Sequence, residues 1–289
     1  MATTRPLAFS SRSVYENYHG RGSVTYASNG FSSTKSSCAA LYGIAMEQGW
    51  ADPSDKVADK NSKTRQCNDD ATFQNVLTMT GRSSNLDNPR FSYDTFGTSC
   101  LDALHDFIGE NNPDGLSTEA WKDKYWHDAL GMENHRWNMP ANNGILNMVC
   151  GSDQQITCRD MARNAQLYLN NGVWEGEQLM SEQFAKDSRI VTVDGGEQYG
   201  YTLWLNSRDP VDPLISSFEG MNGQSAYIST MHDAIVVTMG TDSGGQPAWD
   251  ETRDAIVSEQ FRPIFRQGRA KLGPAEDADN AAFPYEFAV

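Results

Sequence analysis

The sequence predicts an α+β fold in which strands from both ends of the chain form one antiparallel sheet around a helical middle. Helical periodicity dominates from about residue 50 to residue 184, whereas residues 199–205, 225–230 and 234–240 alternate with the period of two that is typical of strands. Residues 13–19 form a further candidate strand near the N-terminus. Because strands occupy both ends, we expect the helical region to be an insertion into the sheet domain.

Capping residues and apolar spacing define the helical segments. The helix after Ser32 carries apolar residues at three- and four-residue spacing until Gly49 ends it. Ser117 and Thr157 are typical N-cap residues and mark the starts of two further helices. The remaining helices are expected over residues 73–80, 95–109 and 248–268.

Three regions follow from this order of elements. Residues 1–50 and 185–270 are expected to form a discontinuous α/β sandwich domain, and residues 51–184 a helical subdomain. Residues 271–289 form a polar, alanine-rich tail, which we expect to be extended or disordered.

Composition narrows the function classes. The 289 residues are 38% hydrophobic, 10% aromatic and 21% charged, which suffices for a sizeable core. The net charge of −15 argues against nucleic acids and anionic membrane surfaces as partners, because both require lysine and arginine. No apolar run reaches the roughly 20 residues of a transmembrane segment. The N-terminal residues also lack the apolar stretch of a signal peptide.

The cysteines are too few and too dispersed for a disulfide scaffold, and they form no Cys-x-x-Cys pair. Cys150 and Cys158 flank a short polar segment that is typical of a loop. The sequence leaves open whether these two bridge or remain free buried thiols.

The chemistry-bearing pattern is Ser32-x-x-Lys35 at the start of a helix. A serine hydroxyl is a weak nucleophile near neutral pH and needs a base beside it. Side chains at i and i+3 share a helix face, so Lys35 can reach the Ser32 hydroxyl. Burial lowers the pKa of a lysine, which leaves the amine able to accept a proton. The pattern therefore indicates a serine nucleophile activated by lysine, although Ser-x-x-Lys alone is weakly specific.

The segment around this pair is more specific. Residues 31–49, FSSTKSSCAALYGIAMEQG, resemble the active-site helix of the penicillin-recognising serine hydrolases. The similarity continues through residues 76–81 (VLTMTG), 130–133 (LGME) and 157–172 (TCRDMARNAQLYLNNG), and it spans roughly residues 13–265. It is greatest to the branch of class C β-lactamase-related esterases and 6-aminohexanoate-dimer hydrolases. The resemblance implies a β-lactamase/transpeptidase-like αβα sandwich with an antiparallel sheet and an inserted helical subdomain.

The resemblance also implies a catalytic tyrosine. The family's Tyr-x-Asn motif corresponds to Tyr93-Asp94-Thr95, which keeps the phenol and replaces the asparagine by Thr95. A phenol beside the nucleophile can relay protons during acylation. Thr95 offers a hydroxyl but no amide, so a substrate contact made by that asparagine is weakened or redirected.

The family's Lys-Thr-Gly motif is replaced by residues 220–224, GMNGQ, which resemble the Gly-x-Gly-Gly-Gln form of esterase-like members. Gly223 allows a substrate to approach the backbone closely. The N–H groups of Ser32 and Gln224 are expected to form the oxyanion hole. Met221 and Asn222 are weaker candidates for substrate contacts. Because Met221 replaces the lysine that holds the carboxylate of β-lactams, we expect poor or absent β-lactamase activity.

We therefore expect a serine hydrolase that cleaves a small-molecule carboxylic ester or amide through an acyl-enzyme. The alternative is a catalytically impaired relative that uses the fold as a binding or interaction module. Thr95 and Met221 favour this alternative, as does the short distance from the N-terminus to Ser32. No metal or other cofactor is implied. The sequence leaves the substrate and oligomeric state open, and the resemblance is compatible with periplasmic, secreted and cytoplasmic locations.

Overall fold

The computed structural model describes residues 16–18, 22–133, 136–137, 150–190, 198–205, 214–231 and 233–240, without the side chains of Thr95, Phe96 and Thr98. The helices are α1 (Thr34–Glu47), α2 (Val57–Lys60), α3 (Phe73–Leu77), α4 (Thr95–Leu101), α5 (Ala103–Asn111), α6 (Thr118–Lys122), α7 (Cys158–Leu169) and α8 (Glu182–Asp187). The strands are β1 (Ser28–Asn29), β2 (Gln155–Ile156), β3 (Val173–Trp174), β4 (Glu177–Gln178), β5 (Trp204–Leu205), β6 (Ile215–Gly220), β7 (Gln224–Ser229) and β8 (Ala234–Thr238). Within these ranges, no helix is both long enough and apolar enough to span a membrane.

The main sheet is antiparallel and follows the order β5-β6-β7-β8. A tight turn joins β6 to β7 and places Gly220 opposite Gln224. Helix α7 covers one face of the sheet, where the rings of Tyr168 and Phe218 meet edge to face with centroids 5.3 Å apart. A separate small pair, β1 with β2, sets Ser28 opposite Ile156 and so ties the chain before α1 to the chain before α7.

Helix α1 is the centre of the core. Every residue from Thr34 to Ala45 is buried, as expected of a helix surrounded by other elements. Its Tyr42 ring contacts the rings of Phe73 and Phe107 at centroid distances of 4.9 and 5.2 Å. Because α1 is fixed on several sides, the residues at its N-terminus are held on a rigid support.

The sequence-based boundaries hold best where a cap fixes them. Ser117 and Thr157 each accept a backbone N–H three residues later, as predicted for N-caps. The helix expected over residues 73–80 ends earlier, because α3 stops at Leu77. The single helix expected over residues 95–109 is two helices, α4 and α5, which meet at Asp102.

The α+β fold class is confirmed, with differences in the strands. Of the strand expected over residues 199–205, only β5 and a bridge between Tyr199 and Trp204 form. Strand β6 lacks a sequence signal because its residues, ISSFEG, neither alternate between polar and apolar nor form an apolar run, although nearly all of them are buried. Residues 16–18 of the strand expected over 13–19 are not in a strand. The rest of that segment, the helix expected over 248–268 and the tail lie outside the described residues.

Two disulfides correct the view of the cysteines. Cys150 bonds to Cys38 of α1 and not to Cys158, and Cys67 bonds to Cys100 of α4. Cys158 is a free thiol. The partner of Cys150 lies 112 residues away in the chain. The short separation between Cys150 and Cys158 therefore did not indicate which cysteine Cys150 bonds to.

Candidate active site

The nucleophile candidate lies on a turn of 3-10 helix, Phe31–Ser33, that leads directly into α1. Phe31 has a φ of 46°, in the left-handed region that is costly for a residue with a side chain. The side-chain oxygen of Asn29 accepts the Phe31 N–H at 2.7 Å and so holds this conformation. The Ser33 hydroxyl bonds to the Gly30 carbonyl at 2.7 Å. These bonds place a half-buried Ser32 at the N-terminal end of the helix, where backbone N–H groups favour negative charge.

Lys35 lies one helical turn later and is buried, with 2% of its surface exposed. Its Nζ donates to the Ser32 Oγ at 2.8 Å and to the Gly151 carbonyl at 2.6 Å. Burial lowers the pKa of Lys35 from its usual value to about 7, against a smaller opposing effect of the negative charge of Asp102. A large fraction of the amine is therefore neutral near pH 7 and can accept a proton from Ser32.

Tyr93 completes the predicted catalytic group. Its ring centroid lies 5.0 Å from the Lys35 Nζ, and its phenol lies beside the Ser32 side chain. Burial raises the pKa of Tyr93 to about 12, with a hydrogen bond from Ser32 opposing this shift and the charge of Glu219 adding to it. The phenol is therefore protonated at neutral pH and can act as a proton donor. The Trp204 ring packs against the Tyr93 ring with centroids 5.2 Å apart.

The turn that joins β6 to β7 approaches the nucleophile from the other side. A Cβ on Gly220 would lie 2.2 Å from the Gly30 carbonyl oxygen and 3.2 Å from the Ser33 nitrogen, so only glycine fits there. Asn222 adopts a φ of 65°, a conformation that asparagine tolerates better than most residues. Gly223 also has a positive φ, of 81°, with open space where a Cβ would be. These contacts hold the β6–β7 turn against the start of α1.

The predicted site residues divide into two groups. Ser32, Lys35 and Tyr93 form one contiguous cluster. Gln224 is fully buried, and its side-chain amide forms two hydrogen bonds with the backbone of Gly240. The role of the Gln224 N–H in an oxyanion hole thus stays a prediction.

The remaining candidates lie at the edges of the site. Met221 is 48% exposed at the start of the β6–β7 turn. Thr95 begins α4, two residues after Tyr93, and Asp94 caps that helix. Contacts of Thr95, Met221 and Asn222 with a substrate stay predictions.

Two groups near Lys35 were missed by sequence reasoning. The Gly151 carbonyl is a backbone atom and carries no sequence signal. Asp102 is 1% exposed and acts electrostatically on Lys35. It lies inside a segment whose periodicity predicts an unbroken helix, so the sequence gives no reason to separate it from the other acidic residues. Among the described residues, no cluster of histidine, cysteine and carboxylate side chains could hold a metal ion.

Comparisons with known proteins give structural relatives only. No protein-family model matches the sequence, and no curated protein matches it significantly. A protein designated a 6-aminohexanoate-dimer hydrolase from Bacillus anthracis is similar, with a TM-score of 0.68, 17% identity and coverage of 89% of this chain and 76% of that one.

Two further solved structures extend this similarity. An octameric penicillin-binding protein homologue from Pyrococcus abyssi has a TM-score of 0.61, 16% identity and coverage of 86% of this chain and 70% of that one. Simvastatin synthase (LovD) from Aspergillus terreus has a TM-score of 0.61, 10% identity and coverage of 82% and 86%. The chain therefore has the fold of the serine β-lactamase/transpeptidase-like proteins.

Proposed function

We propose that this protein is a serine hydrolase that cleaves a carboxylic ester or amide in two steps through an acyl-enzyme on Ser32. The observation that carries the proposal is the 2.8 Å contact between the Lys35 Nζ and the Ser32 Oγ inside a buried site. A lysine whose pKa lies near 7 is matched to proton transfer at neutral pH.

In the first step, the Ser32 Oγ attacks the substrate carbonyl while the neutral Lys35 amine takes its proton. The oxyanion is stabilised by backbone N–H groups, for which Ser32 and Gln224 are the candidates. The Tyr93 hydroxyl, protonated at neutral pH, gives its proton to the leaving oxygen or nitrogen and recovers one from Lys35. In the second step, water gives up a proton to Lys35 as it attacks the acyl-enzyme, the ester bond to the Ser32 Oγ breaks, and Lys35 returns the proton to that oxygen, which restores the serine hydroxyl and the neutral amine.

Charge around the site supports a substrate without a carboxylate next to the scissile bond. Met221 stands where β-lactam-recognising relatives have a lysine. Glu219, the residue before Gly220, is close enough for its charge to raise the pKa of Tyr93. A negative charge at this position repels a substrate carboxylate, so a neutral ester or amide fits better than a penicillin. One structural neighbour is described as a hydrolase with promiscuous acyltransferase activity, which is chemistry of the same kind.

The test is covalent labelling with a fluorophosphonate, combined with turnover of short p-nitrophenyl esters and of a chromogenic cephalosporin. We expect labelling and ester turnover by the wild type, weak or no cephalosporin turnover, and loss of labelling in Ser32→Ala. The exposed Ser62 provides the matched control, because Ser62→Ala removes a serine hydroxyl outside the site. Undiminished labelling of Ser32→Ala refutes the assignment, and no turnover of any acyl substrate by the wild type favours the binding-module alternative.

A further inference from the structure

The Lys35 amine is held by a group from a distant part of the chain. Its second hydrogen bond goes to the Gly151 carbonyl, 116 residues away in sequence. The residue before that carbonyl, Cys150, is fully buried and is bonded to Cys38, which lies one turn after Lys35 on α1. The position of the amine therefore depends on how the Cys150–Gly151 backbone is held.

Asp102 supports this backbone with its side chain. Its Oδ1 accepts the N–H of Cys150 at 2.8 Å, and its side chain is buried. Asp102 lies at the junction of α4 and α5, and α4 begins two residues after Tyr93. The short path from Asp102 through Cys150 and Gly151 thus links the helix that follows Tyr93 to the amine of Lys35.

The surroundings of Asp102 are electrostatically unusual. Burial raises its pKa to about 7, whereas the Cys150 N–H, the positive charge of Arg65 and that of Lys35 oppose the shift, and the negative charge of Asp106 adds to it. Lys35 faces the Ser32 hydroxyl, the Gly151 carbonyl and the Tyr93 ring as well as the charge of Asp102. Asp102 therefore acts on Lys35 both through the backbone that it fixes and through its charge.

We propose that Asp102 is a positioning residue of this active site, which holds the Lys35 amine against Ser32 through the Cys150–Gly151 backbone. The proposal rests on the proposed hydrolase function. If Asp102 had a purely structural role, its substitution would lower stability without moving the pH profile of kcat/KM. The helix-terminal bonds at this junction use its backbone carbonyl, which accepts the N–H groups of His105 and Asp106. Substituting the side chain tests the carboxylate while this carbonyl remains.

The experiment compares the pH dependence of kcat/KM for ester hydrolysis in the wild type, Asp102→Asn and Asp102→Ala. Loss of the negative charge in Asp102→Asn makes the protonated amine less favourable, so the acid limb, the pH range over which kcat/KM rises, moves to lower pH. Because Asp102 has a pKa of about 7 and is only partly charged in that range, the shift is up to about 0.5 pH unit. The asparagine oxygen can still accept the Cys150 N–H, so kcat at the pH optimum stays within about threefold of the wild type. Asp102→Ala moves the acid limb in the same direction and also lowers kcat at least about tenfold, because the Cys150–Gly151 backbone loses its support.

Asp160→Asn is the matched control. Asp160 is an equally buried carboxylate, and it bonds to Thr157, the N-cap of α7, and to Arg163 on α7. Its substitution destabilises the fold but leaves the acid limb where it is in the wild type. An unshifted acid limb in Asp102→Asn, or a shift of the same size in Asp160→Asn, overturns the proposal.

A second measurement depends neither on activity nor on whether Asp102→Ala folds. Lysine labelled with ¹³C at Cε reports the titration of Lys35 by NMR, and Lys35→Met identifies the resonance. A lower apparent pKa of Lys35 in Asp102→Asn than in the wild type supports the proposal, and an equal pKa overturns it. If Ser32→Ala still labels with the fluorophosphonate, the proposed function fails. If labelling requires Ser32 but the Lys35 titration ignores Asp102, the positioning role alone fails.

Discussion

The pKa of Lys35 makes a quantitative prediction for the pH dependence of catalysis. The base in the proposed mechanism is the neutral amine, and burial brings its pKa to about 7. About 9% of the amine is then neutral at pH 6, about 50% at pH 7 and about 91% at pH 8. With the ordinary pKa of 10.5, only about 0.03% would be neutral at pH 7. Burial thus raises the concentration of active base about a thousandfold.

The assay is kcat/KM for a p-nitrophenyl ester between pH 5 and pH 9, corrected for spontaneous hydrolysis. Because kcat/KM reports the free enzyme, we expect it to rise with pH around a midpoint near pH 7 and to level off above pH 8, with Asp102, whose pKa is also about 7, titrating in the same range. Tyr93, with a pKa of about 12, contributes no inflection in this range. A rate that is flat between pH 5.5 and pH 8, or that falls as pH rises through 7, refutes the assignment of Lys35 as base. Loss of the limb in a residually active Lys35→Ala supports it.

The remaining predictions concern the surroundings of the pair. Tyr93→Phe removes the proton donor and leaves Lys35 in place, so we expect kcat to fall about 10²–10³-fold while the acid limb of the pH profile stays where it is. Profiles of kcat/KM against pH for the wild type and Tyr93→Phe check this. Gly220→Ala forces a Cβ into the Gly30 carbonyl, and the displaced β6–β7 turn lowers kcat/KM about 100-fold. Gly131→Ala meets no neighbouring atom, and although the φ of 63° strains an alanine and lowers stability there, it changes kcat/KM less than about twofold. Lys35→Met removes nearly all turnover yet raises the free energy of unfolding at pH 7 by about 1–3 kcal/mol in urea titrations. The gain is full below pH 7 and disappears toward pH 10.5, because the folded state disfavours the ammonium. An Ellman titration of the native protein finds one slowly reacting thiol, Cys158, whose pKa is raised by burial to about 11, and five thiols after reduction in denaturant.

The local patterns of the sequence were sufficient to predict the fold class and the Ser32–Lys35 pair of the candidate site. The spacing of Ser32 and Lys35 needs only helix geometry to bring the two side chains together, and the 2.8 Å contact follows from it. Caps such as Thr157 likewise act within three residues of their own position. Strand β6 escaped prediction because it buries polar residues, Ser216 and Ser217, and so shows neither alternation nor an apolar run.

By itself, the sequence determined an α+β chain with a lysine one helical turn from a serine, because these features arise from contacts between residues a few positions apart. Only the tertiary structure decided that Cys38 pairs with Cys150, that the Gly151 carbonyl holds the Lys35 amine, and that Asp102 accepts the N–H of Cys150. These contacts join segments separated by 48 to 116 residues. No local pattern encodes them, since they exist only when the hydrophobic core brings α1, the α4–α5 junction and the residue 150 turn together. The same burial gives Lys35 a pKa near 7 and so makes the Ser-x-x-Lys spacing chemically useful.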